Sequence, residues 1–70
     1  MRRTLEVYED FYGCTYTVLR MPDDKHRLVA RTPSGKLFYA KSYDTRHGCM
    51  VGLGRLTEGT KRLVGKKELT

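Results

Sequence analysis

Arg27, Arg31, Tyr39 and Lys41 are the residues whose types and spacing carry the most chemistry in this 70-residue chain. They lie on two segments, His26–Thr32 and Lys36–Ser42, that flank Pro33-Ser34-Gly35. Arginine and lysine meet phosphate oxygens and carboxylates, and a tyrosine ring stacks on a base or lies against a sugar. Lys36 sits at the turn, and Lys61, Arg62, Lys66 and Lys67 carry positive charge toward the C-terminus. Together these nine residues are the expected nucleic-acid or partner-binding set.

Other chemistry fares less well. Cys14, His26, His47 and Cys49 are ligand types for zinc, but only His47 and Cys49 are close, whereas zinc sites use two close pairs. No metal or other cofactor is therefore expected, and the two cysteines read as small hydrophobes. A Cys–His pair alone lacks the orienting group and oxyanion donor that nucleophilic catalysis needs. The carboxylate pairs Glu9-Asp10 and Asp23-Asp24 fall in turn-like segments, and Gly52-Leu53-Gly54 is too short for a phosphate loop. The expectation is no catalytic residue and no enzyme. Glu6, Glu9 and Asp10 interleave with Tyr8, Phe11 and Tyr12, a mixture that suits a protein interface or an edge strand completing a small core.

The elements that must hold these side chains are legible in part. Leu5 and Val7 alternate with charged neighbours, and Cys14–Met21 is rich in β-branched and aromatic types. Pro22-Asp23-Asp24-Lys25 has turn chemistry. Pro33-Ser34-Gly35 suits a three-residue hairpin loop with a glycine bulge, pairing Thr32 with Lys36. Continued regularly, that register sets Ala30 opposite Phe38 and Leu28 opposite Ala40. Arg27, Val29 and Arg31 then share the other side with Leu37, Tyr39 and Lys41. From Tyr43 the period changes: Asp44 or Thr45 can cap, and Met50, Leu53 and Leu56 recur at helical spacing over about residues 45–57. Gly48, Gly52 and Gly54 on that helix point to close packing against strands. Residues 60–70 read as a basic tail, mobile or forming a last short element.

The fold expected is α+β: a small antiparallel sheet of three to four strands with one helix packed on one face, in a single domain over residues 1–70. A chain this short buries a marginal core, so a homodimer is a natural supplement. Fourteen Lys and Arg against eight Asp and Glu give a net charge of +6, which favours acidic partners. Nucleic acid or an acidic protein surface is the expected partner, and no membrane is, since no apolar run nears the ~20 residues of a spanning helix. With two cysteines and no apolar run behind Arg2 and Arg3, the cytoplasm is the expected compartment.

Tyr16-Thr17-Val18-Leu19, Arg27-Leu28-Val29-Ala30, Ser34-Gly35-Lys36, Ser42-Tyr43 and Gly48-Cys49-Met50-Val51-Gly52-Leu53 follow one another in this order. Across residues 16–56 the chain thereby resembles the YegP-like family of small bacterial proteins, whose repeat is three strands and a helix. The turn here is longer than that family's Asn-Gly, and residues 1–13 have no counterpart. The resemblance implies the fold and a tendency to pair units, as tandem repeats or dimers; it implies no reaction.

Two functions are compatible with these features. One is a non-enzymatic basic module gripping nucleic-acid backbone through the Arg27–Lys41 hairpin face. The other is a phage- or mobile-element-type inhibitor, of the anti-CRISPR or anti-restriction class, that binds a larger nucleic-acid enzyme.

Overall fold

The computed structural model describes residues 3–69. Five strands and one helix follow in the order β1 (Arg3–Glu9), β2 (Thr15–Arg20), β3 (His26–Arg31), β4 (Leu37–Tyr43), α1 (Arg46–Thr57) and β5 (Arg62–Leu69). The strands form one antiparallel sheet in the order β4-β3-β2-β1-β5, and α1 packs on one face of it. This is the expected α+β architecture with one strand more than anticipated. Residues 62–69 are that strand. Of the two anticipated readings of residues 60–70, a mobile tail or a last short element, the second is the one seen: residues 62–69 pair with β1 from Arg3↔Leu69 to Glu9↔Arg62.

Each turn follows from its residues. Asp10 organises the first: its carboxylate accepts from the Tyr12 and Cys14 amides at 2.8 and 3.0 Å and from the Tyr16 hydroxyl at 2.7 Å. Pro22–Lys25 closes the second, with the Met21 amide donating to the Lys25 carbonyl at 2.8 Å. In the third the Thr32 amide donates to the Lys36 carbonyl at 2.8 Å, and Gly35 takes φ +92°, which L side chains rarely adopt. Thr45 caps α1 by accepting from the Gly48 amide at 3.0 Å.

Alternation along the strands puts Tyr8, Tyr16, Val18, Leu28 and Ala30 on the helix side, where they close over Cys49 and Leu53. Thr57, with Cys49 and Leu53, is buried on the helix, while Met50 and Leu56, anticipated as its inward residues beside Leu53, pack half-buried at the margin. Tyr43 leans across the helix so closely that a Cβ at Gly52 would collide with its ring. One helical glycine thus has the close-packing role anticipated for all three.

Candidate binding surfaces

The β3–β4 hairpin decides where the anticipated binding residues go. Thr32 pairs with Lys36 and Arg31 with Leu37, but Ala30 pairs with Tyr39 and Leu28 with Lys41. Phe38 is the extra residue of a bulge, and from it onward β4 is shifted by one. A one-residue shift turns every later side chain to the opposite face. Tyr39 and Lys41 therefore lie with Leu28 and Ala30 on the helix side and do not share a face with Arg27 and Arg31, as a regular ladder would have had them. Nor does Ala30 face Phe38 or Leu28 face Ala40; the Phe38 ring meets Tyr16 edge-on at 6.2 Å.

The open face of the sheet carries Arg27 and Arg31 on β3, with Lys67 and Arg62 on β5. Between them runs an apolar band. Leu5 pairs with Leu19, Val7 with Thr17, and Thr17 with Val29, all half-buried with no helix or strand above them among the described residues. Strand geometry sets Arg27 about 13 Å from Arg31 along β3, and Lys67 about 14 Å from Arg27 across three strand spacings. Cations thus frame the band. Arg27 and Arg31 meet neutral acceptors, the Ser42 hydroxyl at 3.5 Å and the Gly35 carbonyl at 3.2 Å. Arg62 pairs loosely with Glu9 at 3.5 Å.

One end of this face continues into the β1–β2 turn. Phe11 and Tyr12 there are 83% and 80% exposed, their rings edge to face at 5.7 Å. Phe11 shares a shallow cleft with Glu9, Thr60 and Arg62. Tyr8, by contrast, is core, and the strand that carries it, anticipated as an edge strand completing the core, is internal: β1 pairs with β2 on one side and β5 on the other.

Tyr39 and Lys41 join a second surface, a groove of about 220 Å³ between β4 and α1. Tyr39 and Tyr43 share a hydroxyl hydrogen bond of 2.8 Å, and the Lys41 ammonium lies 5.3 Å from the Tyr43 ring centroid. Burial, and then the bond to Tyr39, push the Tyr43 phenol up to about 12. Arg55 lines the far wall. Lys36 is exposed on the third turn, and Lys61 lies half-buried before β5.

A cavity of about 550 Å³ opens at the N-terminus of α1. Four of its charged residues pair within the chain: Arg46 holds both Glu6 oxygens at 3.1 Å, and Arg20 meets Asp24 at 2.7 Å. Burial alone would raise the Glu6 carboxyl, but bonds from Tyr8 and Arg46 outweigh it and hold it below its ordinary value. The buried His26 lines this cavity too, its Nδ1 without a hydrogen-bond partner.

The residues that thiol or metal chemistry would need are dispersed. Cys49 is buried in α1, and burial pushes its thiol up to about 11, away from the reactive thiolate. Cys14 sits by the first turn with its thiol also raised, by burial and then by Asp10. His26 is in the sheet and His47 exposed on the helix, and no three His, Cys, Asp or Glu side chains gather in a metal-holding group among the described residues. No described helix is long and apolar enough to cross a membrane.

Sequence reasoning missed Leu5, Val7, Leu19 and Val29 as a surface, because apolar alternation alone does not say which face the single helix covers. No protein-family model, curated protein or solved structure matches this chain.

Proposed function

We propose that this chain is a non-enzymatic binding module that docks an acidic protein surface on the open face of its sheet. The observation that carries the reading is the apolar band of Leu5, Val7, Leu19 and Val29 framed by Arg27, Arg31 and Lys67. An uncovered apolar patch rimmed by charge is the anatomy of a docking site. The exposed Phe11–Tyr12 pair adds the aromatic anchor type that dominates interface energetics. Such a module works by occupying its partner's surface, as many small phage and mobile-element inhibitors of nucleic-acid enzymes do.

Nucleic-acid backbone is the second reading, favoured by the net charge of +6 and by the cations at opposite margins of one face. It ranks lower for a physical reason. The aliphatic centre of the arginines' face gains little against phosphates, and the exposed rings of Phe11 and Tyr12 stand at one end of it, in the β1–β2 turn, away from Arg27.

A titration separates the two. The probes are an amphipathic helical peptide with Leu on one face and Glu along its flanks, and a 20-base-pair duplex, each at about 50 and 200 mM salt. Saturable peptide binding at both salts, with NMR shifts at Val7, Thr17 and Val29 and loss on Val29→Asp, is the expected result. Duplex binding that collapses at the higher salt and ignores Val29→Asp would put nucleic acid in its place.

A further inference from the structure

We infer that β4 is a peptide-receiving edge: an extended acidic segment of another protein adds to it as a sixth strand, seating a carboxylate beside Lys41 and Arg55. This inference goes beyond the open-face reading and does not depend on it.

The sheet has two free edges, β4 and β5, and they are unequally defended. An edge strand offers unpaired amide and carbonyl groups to any extended chain, and proteins blunt such edges with cations and bulges. The β5 edge carries Arg62, Lys66 and Lys67 and is bulged opposite Val7 and Tyr8. The β4 edge carries one cation, Lys41, turned to the helix side, has its bulge confined to Phe38, and from Tyr39 to Tyr43 pairs regularly with β3. On the open side of that stretch stand only Ala40 and Ser42, too small to obstruct a neighbour. On the helix side Tyr39, Lys41 and Tyr43 face the groove against α1, whose wall includes Gly48 and Gly52. A free edge beside a helix, with a groove between them, is the geometry by which strand addition takes affinity from main-chain bonds and specificity from alternate side chains.

The groove also names the charge of its occupant. Lys41 and Arg55 line it, and no carboxylate does among the described residues. The paired tyrosines hold two hydroxyl protons and spend one on the 2.8 Å bond between them, leaving the other to donate to an incoming carboxylate. With the Tyr43 phenol pushed up to about 12, that donor persists at neutral pH. Val51 and Leu56 supply apolar contact for the flanking positions. A second copy of this chain is a poor occupant, because two-fold pairing of β4 with β4 brings both Lys41 and both Arg55 side chains to one seam.

The test uses the full chain with a fluorescein-labelled acetyl-Val-Thr-Glu-Thr-Val-Thr amide, whose two Val share a face with Glu, its Glu-to-Lys counterpart, and a version N-methylated at alternate amides. Anisotropy should give saturable binding of the Glu peptide below about 1 mM, with the Lys peptide at least about tenfold weaker and the N-methylated one silent. Hydrogen exchange should slow at alternate amides between Tyr39 and Tyr43. Lys41→Glu/Arg55→Glu, both on exposed side chains, should lose about tenfold or more, with Lys41→Ala/Arg55→Ala as the milder pair. Val29→Asp on the open face should change nothing, which separates failure here from failure of the open-face reading. The inference is overturned by no saturation at 1 mM, by equal binding of the Glu and Lys peptides, or by protection on β5 instead of β4. It is equally overturned if the free protein is a dimer with β4 amides already protected.

Discussion

The two faces of this sheet are built from alternate residues of the same strands, yet they differ in what lies above them. On the helix side Tyr16, Val18, Leu28 and Ala30 are buried against Cys49 and Leu53. On the open side Leu5, Val7, Leu19 and Val29 are as apolar and remain half-exposed. A single twelve-residue helix can cover only part of one face, so a 70-residue chain has one core and one unspent apolar surface. The lesson is a division of labour. Burial on the helix side holds the fold, and the open side is available for a partner.

The largest expected effect tests that division directly. Leu28→Ala or Leu53→Ala removes a fully buried side chain and should cost about 2–5 kcal/mol in urea unfolding. Val29→Ala, one residue along β3 on the other face, should cost under about 1.5 kcal/mol, because less surface leaves water there. Equal losses would break the comparison and mean that the open face is covered in solution. A concentration-dependent midpoint for wild type would then identify a second copy as the cover.

Next comes the seam between helix and sheet. Gly52→Ala places a methyl group where the Tyr43 ring lies, so Tyr43 must swing outward or the helix lift. Overpacking of this kind costs about 1–3 kcal/mol, against the gain of a few tenths to 1 kcal/mol that Ala brings to an ordinary helical site. Gly54→Ala is the control. Its Cβ would approach only the Lys61 ammonium, at 3.9 Å, so it should be neutral or stabilising by thermal unfolding.

What the sequence disclosed about these faces, and what it withheld, has a clear physical boundary. Local chemistry was readable: the Thr32–Lys36 closure, the Thr45 cap and the Pro22–Lys25 turn are each set by a few adjacent residues. The α+β class followed from the change of period at Tyr43. The bulge at Phe38 was not readable, because nothing in Leu37-Phe38-Tyr39 distinguishes a regular pair from an inserted residue. That one insertion separated Tyr39 and Lys41 from Arg27 and Arg31. β5 was hidden for a different reason: Gly65, Lys66 and Lys67 are poor strand residues, and their pairing comes from β1, some sixty positions earlier. Propensity does not report contacts of that range.

Acid should undo the helix side before the open side. The Glu6 carboxyl is held low by Tyr8 and Arg46, and that of Asp10, despite burial, by the Tyr16 hydroxyl and the Cys14 and Tyr12 amides. Both titrate lower folded than unfolded, so the unfolded chain takes up protons first as pH falls. Their contribution is complete above the ordinary carboxylate values of 4.5 and 3.8, and is lost as pH drops through the lowered folded ones. Urea midpoints at several pH values from 7 to 3 should fall for wild type and fall less for Glu6→Gln/Asp10→Asn. An equal slope in the double variant would place the acid sensitivity elsewhere, with Asp24, whose carboxyl the bond from Arg20 holds low, the first alternative.

The smallest expected change in stability belongs to Arg27→Glu/Arg31→Glu, and its smallness is the point. Both guanidiniums are exposed and meet only neutral acceptors, so reversal breaks no ion pair among the described residues. Exposed substitutions of this kind move stability by about ±0.5 kcal/mol, and reducing a net charge of +6 relieves some self-repulsion. The same pair frames the open band, so association with the Glu-flanked peptide should slow by an order of magnitude or more at low salt, and less as salt screens the field. Val29→Asp should act oppositely in kind, shortening the lifetime of the complex at every salt concentration, because it places a charge where the apolar contact forms. Stopped-flow association and dissociation rates at three ionic strengths resolve the two. If both variants change only the association rate, the band contributes steering and no contact, and the open face is an electrostatic surface without an apolar footprint.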